Sequence, residues 1–275
     1  MLADEILEKL QILPIEELKI HEQTLEANER NLRENMLNLG RLVDPIIVDG
    51  KNHVVLDGNH RRAVLASLKT EHAVCQVVDY HDPSIHIGGW YLATKTLPVS
   101  RLGGGEKVDF KAGHSALERM EAAFMLVQRQ GKKDSCTLFP SSEPKLRTVI
   151  EDQRRMVDLL RGKPDGGAEE GNGPGADLHF VEDSRLGYFL DNGYSVLVRR
   201  NFTKEEVIAE AVAGRPLPPK STRHMIPNRI IRLNVHLGYL NEPPEAAWNY
   251  ISEMVRKRVR YGSARYYTEP VIVLY

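Results

Sequence analysis

Cysteine is nearly absent from this chain of 275 residues: Cys75 and Cys136 stand far apart and form no CxxC pair. That excludes a disulfide framework and a cysteine zinc site, and buried free thiols are the expected state. Long apolar runs are missing too. None reaches the roughly 18 residues that a membrane-spanning helix requires, so no membrane association is expected. The N-terminal stretch MLADEILEKLQILP mixes acidic residues among its apolar ones and lacks the basic start and apolar core of a secretion signal, which makes the cytoplasm the expected location. Charge of one sign is not in excess: Lys and Arg number 37 against 38 Asp and Glu, for a formal net charge of −1. Nothing in that balance attracts nucleic acid globally. Locally, from Lys220 to Arg265, nine basic residues stand against three acidic ones, which suits either a solvated basic face or an anion-binding lobe. No His, Cys or carboxylate constellation has transition-metal spacing.

What is present is the make-up of a globular protein, 41% hydrophobic and 27% charged, long enough for two ordinary domains. Leu13-Pro14-Ile15 and Leu18-Lys19-Ile20 read as a short entry strand ending at His21-Glu22. Leu25, Leu32, Met36 and Leu39 share one side at helical spacing, with Thr24 as the expected cap and Gly40 in the left-handed position after the end. Pro45 to Leu56 reads as a β-hairpin turning at Asp49-Gly50. A helix from Asn59 to about Lys69 and a strand from Ala73 to Val78 follow. Further on, Ala116 to Gln130 and Thr148 to Leu160 are expected helices, and Gly162 to Ala176 (GKPDGGAEEGNGPGA) a flexible loop with nothing to bury. Thr203 and Glu206 form a capping box opening a helix to Ala213, and Ile230, Ile231, Leu233 and Val235 suggest a strand. Trp248 to Val259 is the last expected helix. The fold class is α+β, with domains at 1–92 and 93–275.

The stretch that concentrates chemistry is VVLDGNHRRAVLASL, Val54 to Leu68. A strand ending in Asp57-Gly58 and turning at once into a helix leaves the first helical N–H groups unpaired, and the helix dipole places positive charge at that end. With His60 and Arg61 adding donors and Gly58 allowing close backbone approach, the joint suits a phosphate. On residues alone, a helix merely capped by Asp57 and Asn59, with Arg61 and Arg62 in solvent, accounts for the stretch equally well.

The order DGNHR after a hairpin, with His21-Glu22 upstream and Trp90 downstream, resembles the ParB/sulfiredoxin-like fold over roughly the first 90 residues. That resemblance implies a nucleotide-phosphate site at the joint. Sulfiredoxins carry a catalytic cysteine in this loop, where this chain has Asn59, and partition proteins add helix-turn-helix modules that are not recognisable here. A third branch is similar over more of the chain. FTKEEVIAEAVAGRPLPPKSTRHMIP, Phe202 to Pro227, looks like a signature of the free L-serine kinases, and RYGSARYY, Arg260 to Tyr267, is a second match. The family often has His at the position of Asn59. Lys95 to Asp183 carries no matching motif.

The free serine kinase resemblance implies nucleotide-dependent phosphorylation of L-serine to O-phospho-L-serine, with ADP or ATP as donor and Mg2+ held mostly by the nucleotide phosphates and water. Glu22 is then expected to orient the serine hydroxyl and accept its proton. Asp57 would be a second carboxylate. Gly58, Asn59, His60 and Arg61 would hold the phosphate, while Arg223, flanked by Thr222 and His224, clamps the amino acid and Trp90 walls its pocket. By position alone, Glu22 reads as a solvated strand end, Trp90 as core, and Arg223 equally as a surface arginine. His21 is a possible second contact, Glu29 the competing carboxylate, and Ser263 and Arg265 could join either ligand site. GGGEK at Gly103 to Lys107 lacks Walker spacing and is set aside. The alternative expectation is a non-catalytic ParB-like nucleotide-binding or DNA-binding regulator. Oligomeric state is not legible.

Overall fold

The computed structural model describes residues 2–97, 102–160 and 177–268. The chain divides into two units, one made of Met1–Asp82 and Ile226–Tyr275, the other of Pro83–Met225. The expected boundary at 92/93 instead falls within a strand of the second unit, and the chain returns to the first unit from Ile226 onward. The expected loop at 162–176 lies outside the described residues.

The first unit opens with α1 (Leu2–Leu7), β1 (Leu10–Pro14) and, after a single 3-10 turn, β2 (Lys19–Ile20). Next come α2 (Glu26–Leu39), β3 (Arg41–Leu42), β4 (Ile46–Asp49), β5 (Val54–Asp57), α3 (Asn59–Ser67) and β6 (His72–Val78). A five-stranded sheet runs in the order β1-β6-β4-β5-β2. β4 and β5 form the expected antiparallel hairpin, whereas β6 runs parallel to β4 and β2 parallel to β5. At the hairpin turn the left-handed residue is His53 (φ 54), not Gly50. Asp49 Oδ2 accepts the Asn52 N–H at 2.9 Å, and a Cβ on Gly50 would lie 2.9 Å from Val77 Cγ1, so that glycine serves packing. α3 buries Val64 and Leu65 completely in the core below the sheet. α2 buries only Met36. Leu39, expected on its apolar side, is exposed, while Gly40 takes the expected left-handed end at φ 62.

In the second unit β7 (His86–Gly88) is followed by β8 (Tyr91–Thr94), β9 (Glu106–Val108), α4 (Phe110–Glu118), β10 (Ala122–Gln130) and β11 (Lys133–Pro140). Then come α5 (Leu146–Leu160), β12 (His179–Val181), α6 (Leu186–Asp191), β13 (Ser195–Val198), α7 (Lys204–Val212) and β14 (Arg223–Met225). Its six-stranded sheet has the order β12-β8-β13-β10-β11-β9, and β14 pairs with β7 alongside. The expected helix from Ala116 to Gln130 is therefore corrected: α4 stops at Glu118, Met120 turns left-handed (φ 61), and a strand follows. β10 is sandwiched between two cores, with Met125 and Val127 packed on the side of α4 and α6, and Phe124 and Leu126 on the side of α5. A strand buried on both faces loses the alternation that marks a half-buried one, so its apolar run reads as helix.

α7 is opened by the expected capping box. Thr203 Oγ1 accepts the Glu206 N–H at 3.2 Å and Glu206 Oε2 accepts the Thr203 N–H at 2.9 Å. Arg200, 5% exposed, grips the same Glu206 carboxylate. Thr203→Ala is expected to cost about 1 kcal/mol of stability, read as a shift in the urea midpoint; an unchanged midpoint would mean Arg200 alone holds the helix start.

The C-terminal segment completes the first unit with β15 (Val235–His236), paired to β3, and α8 (Pro244–Arg260), whose Ile251 and Val255 join the first core. The expected strand through Ile230 and Leu233 shrinks to β15 because Asn228, Arg232 and Asn234 all have positive φ. Side chains hold this segment instead. Gln76 exchanges hydrogen bonds with Asn228 O (3.0 Å) and the Ile230 N–H (2.8 Å), and Asp44 Oδ1 accepts the Arg232 N–H at 2.6 Å.

Candidate active site

Within the first unit, β5 delivers Asp57 to the start of α3, and Gly58 makes the turn at φ 105, a conformation that a side chain rarely adopts. No side chain caps this helix at Gly58. Asp57 turns elsewhere: its Oδ2 accepts from Arg61 Nη2 at 2.9 Å and pairs with Arg229. Arg61 Nη1 donates to the carbonyls of Asp44 (3.0 Å) and Pro45 (2.8 Å). The guanidinium expected to meet a phosphate thus ties the approach to β4 onto the β5–α3 joint, and Arg62 reaches Ile15 O rather than solvent. Asp57 and Asn59 do not act as simple helix caps.

The other wall of this site is built by His21 and Glu22. His21 is 2% exposed, and its Nδ1 lies against the carbonyl of Val55 in β5. A carbonyl only accepts, so Nδ1 carries the ring proton and Nε2 keeps a lone pair, which faces Glu22 Oε2 at 3.7 Å. Burial pushes the His21 pKa down, outweighing the opposing pull of Glu22, the Val55 hydrogen bond and Asp57. On the far side of the ring, Asn59 Nδ2 stands 3.1 Å from Nδ1, and Asn59 Oδ1 is buried with no hydrogen-bond partner. Glu22 and the first residue of α3 therefore share one imidazole. His60, one residue on, accepts the Leu25 N–H at 3.1 Å through Nε2. That bond closes the start of α2, where Thr24 was expected as cap and Leu25 occupies the cap position. Glu29, the competing carboxylate, sits in the first turn of α2.

His21 gives a pH prediction. Its folded pKa lies below the ordinary value near 6.5, so as pH falls the unfolded chain takes up the proton first. Its contribution is complete above about pH 6.5 and is lost below it, by up to about 1.4 kcal/mol per pH unit. Urea unfolding at about pH 7.5 and 5.5 should show a smaller acid-induced loss for His21→Gln than for the unmodified protein. Equal losses would show that His21 titrates alike in both states.

In the second unit, β8 follows directly on Trp90, and β14 carries Arg223 and His224. Trp90 Nε1 donates to Thr222 O at 3.1 Å. The Arg223 guanidinium lies 5.5 Å, and Lys220 Nζ 5.7 Å, from the centre of the Trp90 ring. Trp90 is only partly buried and packs under two cations rather than in the core. The structure thus gathers Trp90, Thr222 and Arg223, with His224 the next residue of the strand. Arg199, 2% exposed, braces the group by donating to Trp90 O at 2.8 Å and to Lys220 O. Ser263 and Arg265 are exposed beyond α8; nearby Tyr266 donates to Asn228 Oδ1, beside Arg229.

Two residues of interest escaped the sequence reading. Arg229 shares Asp57, and Glu182 Oε1 pairs with Arg223 Nη2 at 2.9 Å. Arg229 stands two residues beyond the Pro227 that ends the signature, which was its one available signal. Glu182 had none. Both cysteines are free and buried, and burial raises both thiol pKa values, so neither is a ready thiolate. Among the described residues no group of three or more His, Cys, Asp or Glu could hold a metal ion, and no helix is long and apolar enough to cross a membrane.

The architecture is a mixed α+β one that known enzymes share. A solved free serine kinase with a glutamate-to-alanine substitution, in complex with ADP, superposes with a TM-score of 0.66 at 23% identity, covering 84% of this chain and 94% of that one. SbnI from Staphylococcus aureus, truncated at its C-terminus, gives a TM-score of 0.67 at 16% identity over 93% of this chain and 99% of that one. In sequence, the chain is 27% identical over 237 residues to the ADP-dependent L-serine kinase SerK of Thermococcus kodakarensis, covering 83% of this chain and 91% of that protein. It is 24% identical over 230 residues to an ATP-dependent L-serine kinase of Staphylothermus marinus, covering 78% and 85%. No protein-family model matches the chain.

Proposed function

We propose that this chain is a free L-serine kinase, transferring a phosphoryl group from ADP or ATP to the serine hydroxyl to give O-phospho-L-serine. One observation carries the reading: Glu22 and the start of α3 meet at a single buried histidine, so a proton acceptor and a phosphate-directed helix end occupy one small volume. The similarity to L-serine kinases named for ADP and for ATP supports it. The arrangement of the β4–β5 hairpin, joint and α3 also supports reading the N-terminal part as ParB/sulfiredoxin-like.

In this mechanism Glu22 aligns the serine hydroxyl and accepts its proton as the oxygen attacks phosphorus and the bond to the leaving phosphate breaks. The Gly58 and Asn59 amides, with the dipole of α3, hold the transferred group. Asn59 adds a side-chain donor. His21 Nδ1–H is already given to Val55 O, so the ring makes no demand on the Asn59 amide, whose Nδ2 stands 3.1 Å from Nδ1 and is left to the transferred group. His60 contributes its Nδ1–H. Asp57 and Arg61 keep the joint in shape. Trp90, Thr222, Arg223 and His224 hold the amino acid. Magnesium would be held chiefly by the nucleotide phosphates and water, with Asp57 as the carboxylate of the joint that could bind such a water, and it would supply charge neutralisation.

Incubating the protein with Mg2+, ADP or ATP and a panel of hydroxylated amino acids tests the reading. O-phosphoserine should form, and with one nucleotide preferred. Nucleotide binding without product, or salt-sensitive retention on DNA, would favour a regulator instead.

A further inference from the structure

The sheet of the second unit sets an acid beside the clamp arginine. β12 pairs antiparallel with β8 with Val181 opposite Tyr91, so the next residue along, Glu182, arrives across from Trp90. There its Oε1 meets Arg223 Nη2 at 2.9 Å. The Arg223 side chain is 38% exposed and that of Glu182 35%, so a ligand can reach both. Arg223 is steadied by the Trp90 ring, and that ring by its hydrogen bond to Thr222 O. An ion pair this open adds little to folding. Its two charges, side by side and fixed by separate strands, instead mirror the carboxylate and ammonium carried on one carbon of a free α-amino acid.

We propose that Glu182 is a specificity-determining residue that receives the α-ammonium of the amino-acid substrate while Arg223 receives its carboxylate. This rests on the serine kinase reading. The zwitterion inserts into the Arg223–Glu182 pair and exchanges each protein charge for a ligand charge of the same sign. The site then selects free serine. A serine within a peptide has no ammonium for Glu182, and a hydroxy acid leaves that carboxylate without a cation.

The test compares KM for L-serine with the competitive inhibition constants of 3-hydroxypropionate, which lacks the ammonium, and ethanolamine, which lacks the carboxylate. Glu182→Gln should raise the KM for serine and the inhibition constant of ethanolamine about tenfold or more, from the loss of a charged hydrogen bond. It should leave 3-hydroxypropionate within twofold. Glu182→Asp, which keeps the charge, should recover most of the serine affinity. An unchanged KM for serine, a parallel loss for 3-hydroxypropionate, or no recovery in Glu182→Asp overturns the proposal, the second outcome assigning Glu182 to positioning Arg223. If the unmodified protein makes no O-phosphoserine, the kinase reading itself fails, which is a separate and recognisable result.

Discussion

Glu22→Gln is expected to slow phosphoserine formation by about a hundredfold to ten-thousandfold, the usual contribution of a positioned general base. The amide keeps the size of the carboxylate but accepts no proton at neutral pH. Fold and nucleotide affinity should survive. The Glu22 carboxylate faces His21 Nε2 at 3.7 Å, and an amide there offers that lone pair a donor, so the substituted side chain has reason to stay in place. The melting temperature should therefore hold while kcat collapses and the KM for nucleotide stays near its original value. A rate within severalfold of the unmodified enzyme would move the proton acceptor elsewhere, with Asp57 the other carboxylate at the joint. Asp57 is the poorer acceptor because two arginines already hold its Oδ2.

Gly58→Ala is expected to be the most damaging small substitution in the joint. The backbone there has φ 105, and forcing a side chain into so sparsely populated a region costs about 1–3 kcal/mol. Space is short as well. The new Cβ would stand 3.0 Å from Arg61 Nε and 3.1 Å from Nη2. That guanidinium is not a free end able to swing away, being bonded to Asp44 O, Pro45 O and Asp57. Moving it forfeits roughly 1 kcal/mol for each neutral bond lost and more for the charged one. Gly214→Ala is the matching control, since that residue has φ 67 with nothing within 4 Å of an added Cβ. Urea unfolding of the two variants should show a larger loss for Gly58→Ala, together with weakened nucleotide binding that Gly214→Ala does not share. Equal losses would mean the guanidinium yields freely.

The pieces of this fold that were legible in sequence are those whose causes are local. The DGNHR joint, the hairpin before it, α3, β6 and the Thr203–Glu206 box each follow from turn residues, periodicity or capping within a few positions. What was not legible depends on distant partners. α2 is closed by His60 rather than by Thr24, because the cap comes from 35 positions along the chain. β10 passed for helix because both of its faces are covered. The return of residues from Ile226 to the first unit leaves no compositional mark, and the three left-handed residues that break the expected strand there are held by Gln76 and Asp44. At the site, residue type located the chemistry but not its distribution. Arg61 was expected on a phosphate and is spent on carbonyls and Asp57, whereas His21, a secondary contact by sequence, links Glu22 to Asn59. Glu182 could be found only through the register of β12 against β8.

The most direct measurement is a nucleotide titration followed by the backbone amide resonances of Gly58, Asn59 and His60 in isotopically labelled protein with Mg2+. ADP or ATP should shift these amides first and furthest, with the same saturation curve as the nucleotide affinity measured by calorimetry. Saturation of the protein with those three resonances unmoved would place the phosphates elsewhere and contradict a transfer site at the start of α3.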